Sequence, residues 1–501
     1  MMSPGVWVLV ALQIAMGAFD TLYHHEWTER LAWRASQRRE LRLHAIRNGI
    51  YAILFLVFGW IEVGGVFAIA ILALLGVEIV LTLWDFVEED RTRKLPASER
   101  VTHTFLALNY GAILTLLLPE LIDLANAPTG LEYAPSGYWS LLASVSAIAV
   151  FLFGVRDYAA SRRLGRPRRA PACDLVSPLP ASQRILIAGA TGFVGKRLVE
   201  SLISAGHEVM VVARDPLKAA KLGVPIQIFQ DWDQIPSDSR IDAVINLAGE
   251  SMGEGLWTRA RKRVLLSSRL AMTSGAVGLI ARLQVRPPVL VNASAIGWYG
   301  LYDDEVLTEE SPGRACFCRD VCIAWEQEAQ KAASDVTRVV SLRIGLVLDT
   351  DGGLLSRFLL PFEFGLGGPM GTGRQWMSWI ARDDLVRLIA HVLATPSLAG
   401  PVNATAPVPE RNAAFGKKLG RALMRPAILP LPAAPLRALG DFGKELLLGG
   451  QYVLPQKATA TGFVFRYPTL ELAFQAFFGK DTSSGPVQPE VGMAQPYMGP
   501  T

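Results

Sequence analysis

The chain has 501 residues, enough for two or more domains. Apolar residues make up 51% of it and mean hydropathy is +0.29, which excludes an ordinary soluble enzyme and assigns part of the chain to a bilayer. A net charge of +4 gives no basis for nucleic-acid binding, and four cysteines in this length exclude a disulfide framework.

Five apolar segments fill the first third, at 6–23, 46–62, 65–84, 104–124 and 138–155, each near the roughly 20 residues that cross hydrocarbon. The first has no basic region before it and no small-residue cleavage site after it, so it is expected to stay as an anchor. Basic residues alternate between the connections. Arg30, Arg34, Arg38, Arg39 and Arg42 follow the first segment, and Arg91, Arg93, Lys94 and Arg100 follow the third. Arg156, Arg162, Arg163, Arg166, Arg168 and Arg169 follow the fifth, while the other two connections carry no Lys or Arg. The positive-inside rule then predicts an all-α transmembrane bundle over 1–158, with its N-terminus outside. It places a multi-pass protein in a bacterial inner membrane with the rest of the chain in the cytoplasm.

All four histidines of this third lie on the basic side. Asp20/His24, Glu40/His44, Asp85/Glu89 and Glu99/His103 are spaced i,i+4, and Glu78 lies seven residues before Asp85, so each set shares a helix face. Four helices that each offer a carboxylate, three of them also a histidine, are the inventory of a bundle metal site. The expected ligands are His24, His44, His103, Glu78 and Asp85, with Glu40 and Glu99, for iron or zinc. The common di-iron spacing is i,i+3, not the i,i+4 found here. A proton-handling polar cluster, juxtamembrane charge paired with arginine, and haem held by two histidines stay open beside it.

Residues 159–182 are basic and proline-rich and read as a linker. From Arg184 an apolar strand runs into a turn spaced Gly189, Gly192, Gly195, which carries Thr191, Phe193 and Val194. An amphipathic helix and a second strand follow. This pattern lets backbone approach a pyrophosphate at a helix N-terminus, so a dinucleotide is the expected ligand. The second strand ends in Arg214, where NAD selectivity would place an acid, so NADP(H) is expected over NAD(H). The strand of "IDAVINLAGE" ends with Asn246, Leu247, Ala248 and Gly249, and that of "PPVLVNASAIGWYG" brings Ser294 and Tyr299 to its C-terminal end, where doubly wound sheets bind ligands. Residues 481–501 read as a disordered tail.

The blocks "GATGFVG", "DAVINLAGE", "NASAIGWYG", "DEVLTEESP", "VVSLRIGLVL", "GLGGPMGTGRQWMSWI", "GPVNATAP" and "LLLGGQYVLPQKATATGFVFRYPTLELA" occur in that order. Together they resemble the atypical, extended short-chain dehydrogenase/reductase superfamily of NAD-dependent epimerase/dehydratase type. The likeness is strongest to an epimerase-like family with a small C-terminal domain of unknown function. The resemblance implies an α/β Rossmann fold with a doubly wound parallel sheet over 183–480 and a substrate-side subdomain from about 430. It implies that Ser294 holds the position of the catalytic serine, that Arg343 joins the cofactor-binding set, and that Asp383 and Asp384 are a structural acidic pair.

The superfamily's Tyr-x-x-x-Lys is missing. Counting back from Glu326 puts Cys318 and Cys322 at those positions, with Cys316 just before. Tyr299 is the nearest phenol, and the cysteines are expected to pack a helix. Two functions follow. One is a membrane-anchored NADP(H)-dependent oxidoreductase or epimerase-like enzyme, passing electrons to a bundle metal or a lipid-soluble substrate. The other is a non-catalytic nucleotide-sensing scaffold, in the manner of relatives labelled cell-division inhibitors. The small-molecule substrate and the oligomeric state are not legible.

Overall fold

A computed structural model describes residues 3–164, 170–180 and 182–478. The chain divides into two compact units, Met1–Pro167 and Arg168–Thr501.

The first unit is helical. Each apolar segment lies in one helix: α1 (Pro4–Phe19), α2 (Arg38–Trp60), α3 (Val66–Thr92), α4 (Ala97–Ala125) and α5 (Tyr138–Leu164). All five, α1 taken with its continuation to Glu29, are long and apolar enough to cross a membrane. The connections α2–α3 and α4–α5 pair as an antiparallel ladder, Ile61–Gly64 against Gly130–Tyr133. Helices α2 and α5 approach closely through small residues. A Cβ on Gly59 would stand 2.8 Å from the Ala143 Cβ, and Ser140 Oγ donates to the Gly59 carbonyl at 2.6 Å. Close small-residue contact of this kind characterises helices packed in lipid.

The unit is inverted relative to a water-soluble bundle. Its buried positions include Glu40, His24, Glu78, Asp85, Glu89 and Glu99, while Val80, Leu83, Leu108, Leu141, Ile148 and Leu152 point outward. Below α1 the chain changes helix type. Residues Asp20–Glu29 form a π-helix, ended by Arg30 in the left-handed region (φ 53°). The i→i+5 pattern widens the turn, so residues four and five apart both come near a given side chain.

The second unit is built on seven parallel strands: β1 (Arg184–Ala188), β2 (Glu208–Val212), β3 (Gln227–Phe229), β4 (Ala243–Asn246), β5 (Val289–Ala295), β6 (Arg338–Ile344) and β7 (Gly400–Ala404). Their order is 3-2-1-4-5-6-7, which reverses beside β1 and places a ligand crevice at the C-terminal ends of β1 and β4. Every strand of the β1–β4 pair is apolar on both faces because helices cover both. Helices α6 (Phe193–Ser204) and α9 (Arg382–Ala394) lie on one face; α7 (Arg259–Arg282) and α8 (Phe317–Gln330) lie on the other. Helix α7 also meets the length and hydropathy of a membrane span. Its Ala276, Leu279 and Ile280 are instead buried against Leu186, Val244 and Leu290 of the sheet.

Two boundaries read from sequence change. Residues up to Leu164 extend α5, and Leu175, Val176 and Leu179 are buried in the core of the second unit. The stretch read as a linker over 159–182 therefore contributes to both units; residues 165–169, like residue 181 and 479–501, where the tail is expected, lie outside the described residues. Proline and arginine content hid this because three apolar side chains are too few to give a period. The segment after residue 430 contributes Ala458 and Phe463 to the main core, so it is woven into the second unit.

Candidate nucleotide and acid–histidine sites

The turn from β1 to α6 is as tight as backbone allows. Gly189 has φ +85°, and a Cβ there would stand 2.7 Å from the Leu247 carbonyl carbon. On Gly195 a Cβ would collide with the Gly189 carbonyl oxygen and lie 2.8 Å from Ala190 Cα. Gly192 closes the turn by donating its N–H to Gly189 O at 3.0 Å and precedes the first helical residue, Phe193. Thr191, Phe193 and Val194 are on this turn and the opening of α6, whose free N–H groups and dipole favour a phosphate. Leu247, Ala248 and Gly249 lie opposite, past the end of β4. Asn246 holds that edge, donating to Asn292 Oδ1 at 2.7 Å and Thr273 Oγ1 at 3.0 Å while its Oδ1 accepts the Ala248 N–H at 3.2 Å.

Arg214 follows β2 and is 79% exposed, with Glu250 Oε1 3.4 Å from its Nη2. Its guanidinium and the Arg261 guanidinium hold the Glu250 carboxyl below its ordinary pKa. Asp215 caps the next turn by accepting the Lys218 N–H at 3.1 Å. These residues fit a dinucleotide: a cradle that any Cβ would fill, a helix N-terminus, and an exposed cation after the second strand.

Ser294 ends β5, but its Oγ donates to Glu326 Oε1 at 2.7 Å. Glu326 also accepts from Arg343 Nε and Nη2, both at 3.0 Å. Arg343 is buried. Its guanidinium stacks 3.6 Å over the Trp298 ring and donates to Tyr299 Oη at 3.2 Å. Arg343 is thus placed in a core network instead of on the cofactor. Tyr299 has no solvent exposure and donates to Asn403 Oδ1 at 2.7 Å, and burial raises its phenol pKa. The structure gives Tyr299 the position of a packed strut and not of a general acid. The adjacent acids also brace the fold: Asp383 pairs with Arg197 at 2.9 Å, and Asp384 accepts the Arg466 and Tyr467 N–H groups.

The cysteines pack α8. Cys316 caps it, accepting from Arg319 N, and Cys318 and Cys322 are buried. Burial pushes the Cys316 thiol up to about 11 and the Cys322 thiol to about 12, with Cys318 well above its usual value. Neutral thiols are poor ligands and nucleophiles near pH 7. Glu445, more than a hundred residues later, accepts the Phe317 and Cys318 N–H groups at 3.1 and 2.9 Å.

In the first unit the structure gathers His44, His103, Glu40 and Glu99 at one end of the bundle, and adds Asp20, His25 and Glu89. His24, Glu78 and Asp85 fall outside. His24 Nδ1 lies 2.8 Å from Asp20 Oδ1 and its Nε2 3.2 Å from Ser98 Oγ. Asp20 meets both neighbours, His24 through Oδ1 and His25 through Oδ2, whose distance to His25 Nε2 is 3.3 Å. Asp85 is paired with Arg47 Nη1 at 2.5 Å and His44 Nε2 at 3.1 Å. Glu78 accepts from Tyr51 and Thr82, nearly two turns deeper.

The second unit matches two family models: the NAD dependent epimerase/dehydratase family over 185–404, and a domain of unknown function, DUF1731, over 431–477. It is 40% identical over 301 residues to the chloroplastic epimerase family protein SDR39U1 homolog of Arabidopsis thaliana, covering 58% of this chain and 86% of that one. An epimerase family protein of Mycobacterium bovis is 37% identical over 292 residues, covering 58% of this chain and 96% of the relative. The crystal structure of human epimerase family protein SDR39U1 with NADPH is 34% identical, with TM-score 0.54, over 59% of this chain and 99% of that one.

Proposed function

Because the chain belongs to the NAD dependent epimerase/dehydratase family, we propose that it is a membrane-anchored, NADP(H)-dependent oxidoreductase or epimerase-like enzyme. The observation that carries this reading is the glycine cradle at Gly189 and Gly195 with the exposed guanidinium of Arg214 beside it. The human relative's complex with NADPH supports the same choice of nucleotide. In this reading the Gly189–Gly195 turn and the α6 N-terminus hold the pyrophosphate, Leu247–Gly249 flank it, and Arg214 meets the 2′-phosphate. Bound there, the nicotinamide supplies hydride exchange. Ser294 Oγ, whose proton is held by Glu326, keeps lone pairs that can accept a hydrogen bond from the substrate, and Glu326, backed by Arg343, fixes its orientation.

Five helices with apolar exteriors and the alternating basic connections support a multi-pass location in a bacterial inner membrane, with the nucleotide unit in the cytoplasm. A bilayer anchor favours a lipid-soluble or membrane-proximal small-molecule acceptor. The test is anaerobic NADPH oxidation by purified full-length protein offered quinone, lipid and sugar-nucleotide acceptors. Consumption that falls with Ser294→Ala is the expected result; bound NADPH never consumed with any of them refutes the enzyme.

One observation favours a second reading, a nucleotide-sensing scaffold. The thiols at the Tyr and Lys positions are neutral and Tyr299 is locked in the core, so neither supplies the acid–base pair. That reading expects an unchanged phenotype for Ser294→Ala and loss of function for Gly192→Val.

A further inference from the structure

We propose that the basic end of the helical unit is a transition-metal centre with two adjacent positions. Asp20, His25, Glu99 and His103 form one, and His25, Glu40, His44 and Glu89 the other. This inference is independent of the nucleotide reading, since it rests on residues of the first unit alone. Within each set the ligand atoms lie within 4.8 Å of one another. Two ligands at about 2.0–2.2 Å from a common ion reach nearly that separation.

Most polar atoms here have partners, among them His103 Nε2 with Asp20 Oδ2 at 3.2 Å, but three do not. His25 Nε2, Glu40 Oε2 and Glu89 Oε2 are buried without a hydrogen bond. Their residues are 8%, 0% and 1% exposed, so bulk solvent does not reach them. His25 Nε2 lies 3.3 Å from Asp20 Oδ2 and 3.5 Å from Glu99 Oε1, and His103 Nδ1 lies 3.5 Å from Glu89 Oε2. Those are spacings of donors facing one another round a gap. An ionised group buried without a partner costs several kcal/mol or more, and within an apolar bundle such a group ordinarily marks a functional site.

Arg93 accounts for only part of the charge. It donates to Glu99 Oε2 and Oε1 at 2.8 and 2.7 Å and to Glu40 Oε1 at 3.0 Å, and it lies 3.5 Å from Glu89 Oε1. Three of the four carboxylates in the two sets thus share one guanidinium, while Asp20 meets only histidines, and the orphaned oxygens are those Arg93 does not reach. Divalent cations neutralise this excess, and three imidazoles with four carboxylates suit iron, manganese or zinc over calcium or copper(I). The surroundings also resemble a built site. His24 holds Asp20 from outside, Asp85 holds His44 at 3.1 Å, and Arg47 holds Asp85, the carboxylate–histidine support that orients ligands.

Full-length protein, purified in detergent without chelator from medium supplemented with iron, manganese and zinc, is analysed for bound elements. The expected result is close to two ions per chain, falling to near zero in His25→Ala, which both positions share. Asp85→Asn keeps all ligands and is expected to weaken affinity about 10- to 100-fold in competition with a chelator. His391→Ala, in the second unit, is expected to leave metal content unchanged. To separate ligand loss from misfolding, chelator-stripped wild type is titrated with Co(II), which should develop ligand-field absorption bands. Metal-free wild type that develops none, or metal content indifferent to His25→Ala, overturns the proposal.

Discussion

Arg214→Ala should change which nucleotide the protein prefers. The side chain stands at the end of β2, 79% exposed, and among the described residues it pairs with Glu250 at 3.4 Å, too long to oppose a new contact. A hydrogen bond to a charged group contributes about 1.5–3 kcal/mol, and a bidentate guanidinium–phosphate pair lies at the upper end. Exposure lowers that figure, because solvent screens the pair. Taking about 1.5–2 kcal/mol, at about 1.4 kcal/mol per tenfold, the Kd for NADPH should rise roughly 10- to 30-fold. The Kd for NADH, which lacks the 2′-phosphate, should move less than about twofold on the same scale. Both are measured by calorimetric titration of the full-length protein at fixed ionic strength. Added salt should weaken NADPH binding in the wild type and not in the variant. Equal losses for both nucleotides, or no loss for either, would refute the assignment of Arg214 to the phosphate.

Gly195→Val drives a side chain into the Gly189 carbonyl, so nucleotide binding should vanish and overpacking should cost about 1–3 kcal/mol in urea unfolding. Tyr299→Phe leaves Asn403 Oδ1 without its donor and removes one of the acceptors of Arg343 Nη1; a loss of about 1–3 kcal/mol is expected with kcat within twofold or so of wild type, and a large fall in kcat at unchanged stability would restore the phenol as an acid. Maleimide at pH 8 should label Cys173 rapidly in the native protein and the buried Cys318 and Cys322 only after denaturation. In intact cells a membrane-impermeant maleimide should spare Cys173, and its labelling there would invert the proposed topology. Because the Cys322 pKa is raised from 9.0 to about 12, the unfolded thiol ionises first. Its contribution is therefore present in full below pH 9 and is lost as pH climbs towards 12, measurable as a falling urea midpoint.

The β1–turn–α6 site was legible because its glycines answer local needs: a positive φ at Gly189 and contact with its own turn at Gly195. Helix existence in the first unit was legible for the same reason, since each segment carries its own hydropathy. Ligand choice was not. The i,i+4 rule found a pair that does form, His24 with Asp20, yet it is His25 that stands with the other ligand atoms; the doublet "HH" was the one signal that a neighbour could serve. Asp85 and Glu78 were drawn away by Arg47 and Tyr51 of another helix, partners that no spacing announces. Arg343 and Tyr299 lie on the right strand ends yet face Glu326 and Asn403, a difference set by tertiary packing. Helix α7 meets the length and hydropathy of a span although it was not among the five segments read from sequence, because a helix buried on a sheet and a helix buried in lipid are similarly apolar over eighteen residues.

The bond from Glu445 to the start of α8 spans 128 residues. Val306–Leu307 likewise waits for Tyr452–Val453, and the Asn403 side chain for the Leu454 carbonyl. A ribosome adding roughly 5–20 residues per second delivers Glu445 some 6–25 seconds after the helix it caps. During that interval the helix carrying Cys318 and Cys322 has bare N–H groups and a solvent-open flank. The last stretch of the chain therefore acts as the closing stitch of the nucleotide unit, and a nascent chain cut before it should be a client for chaperones or proteases.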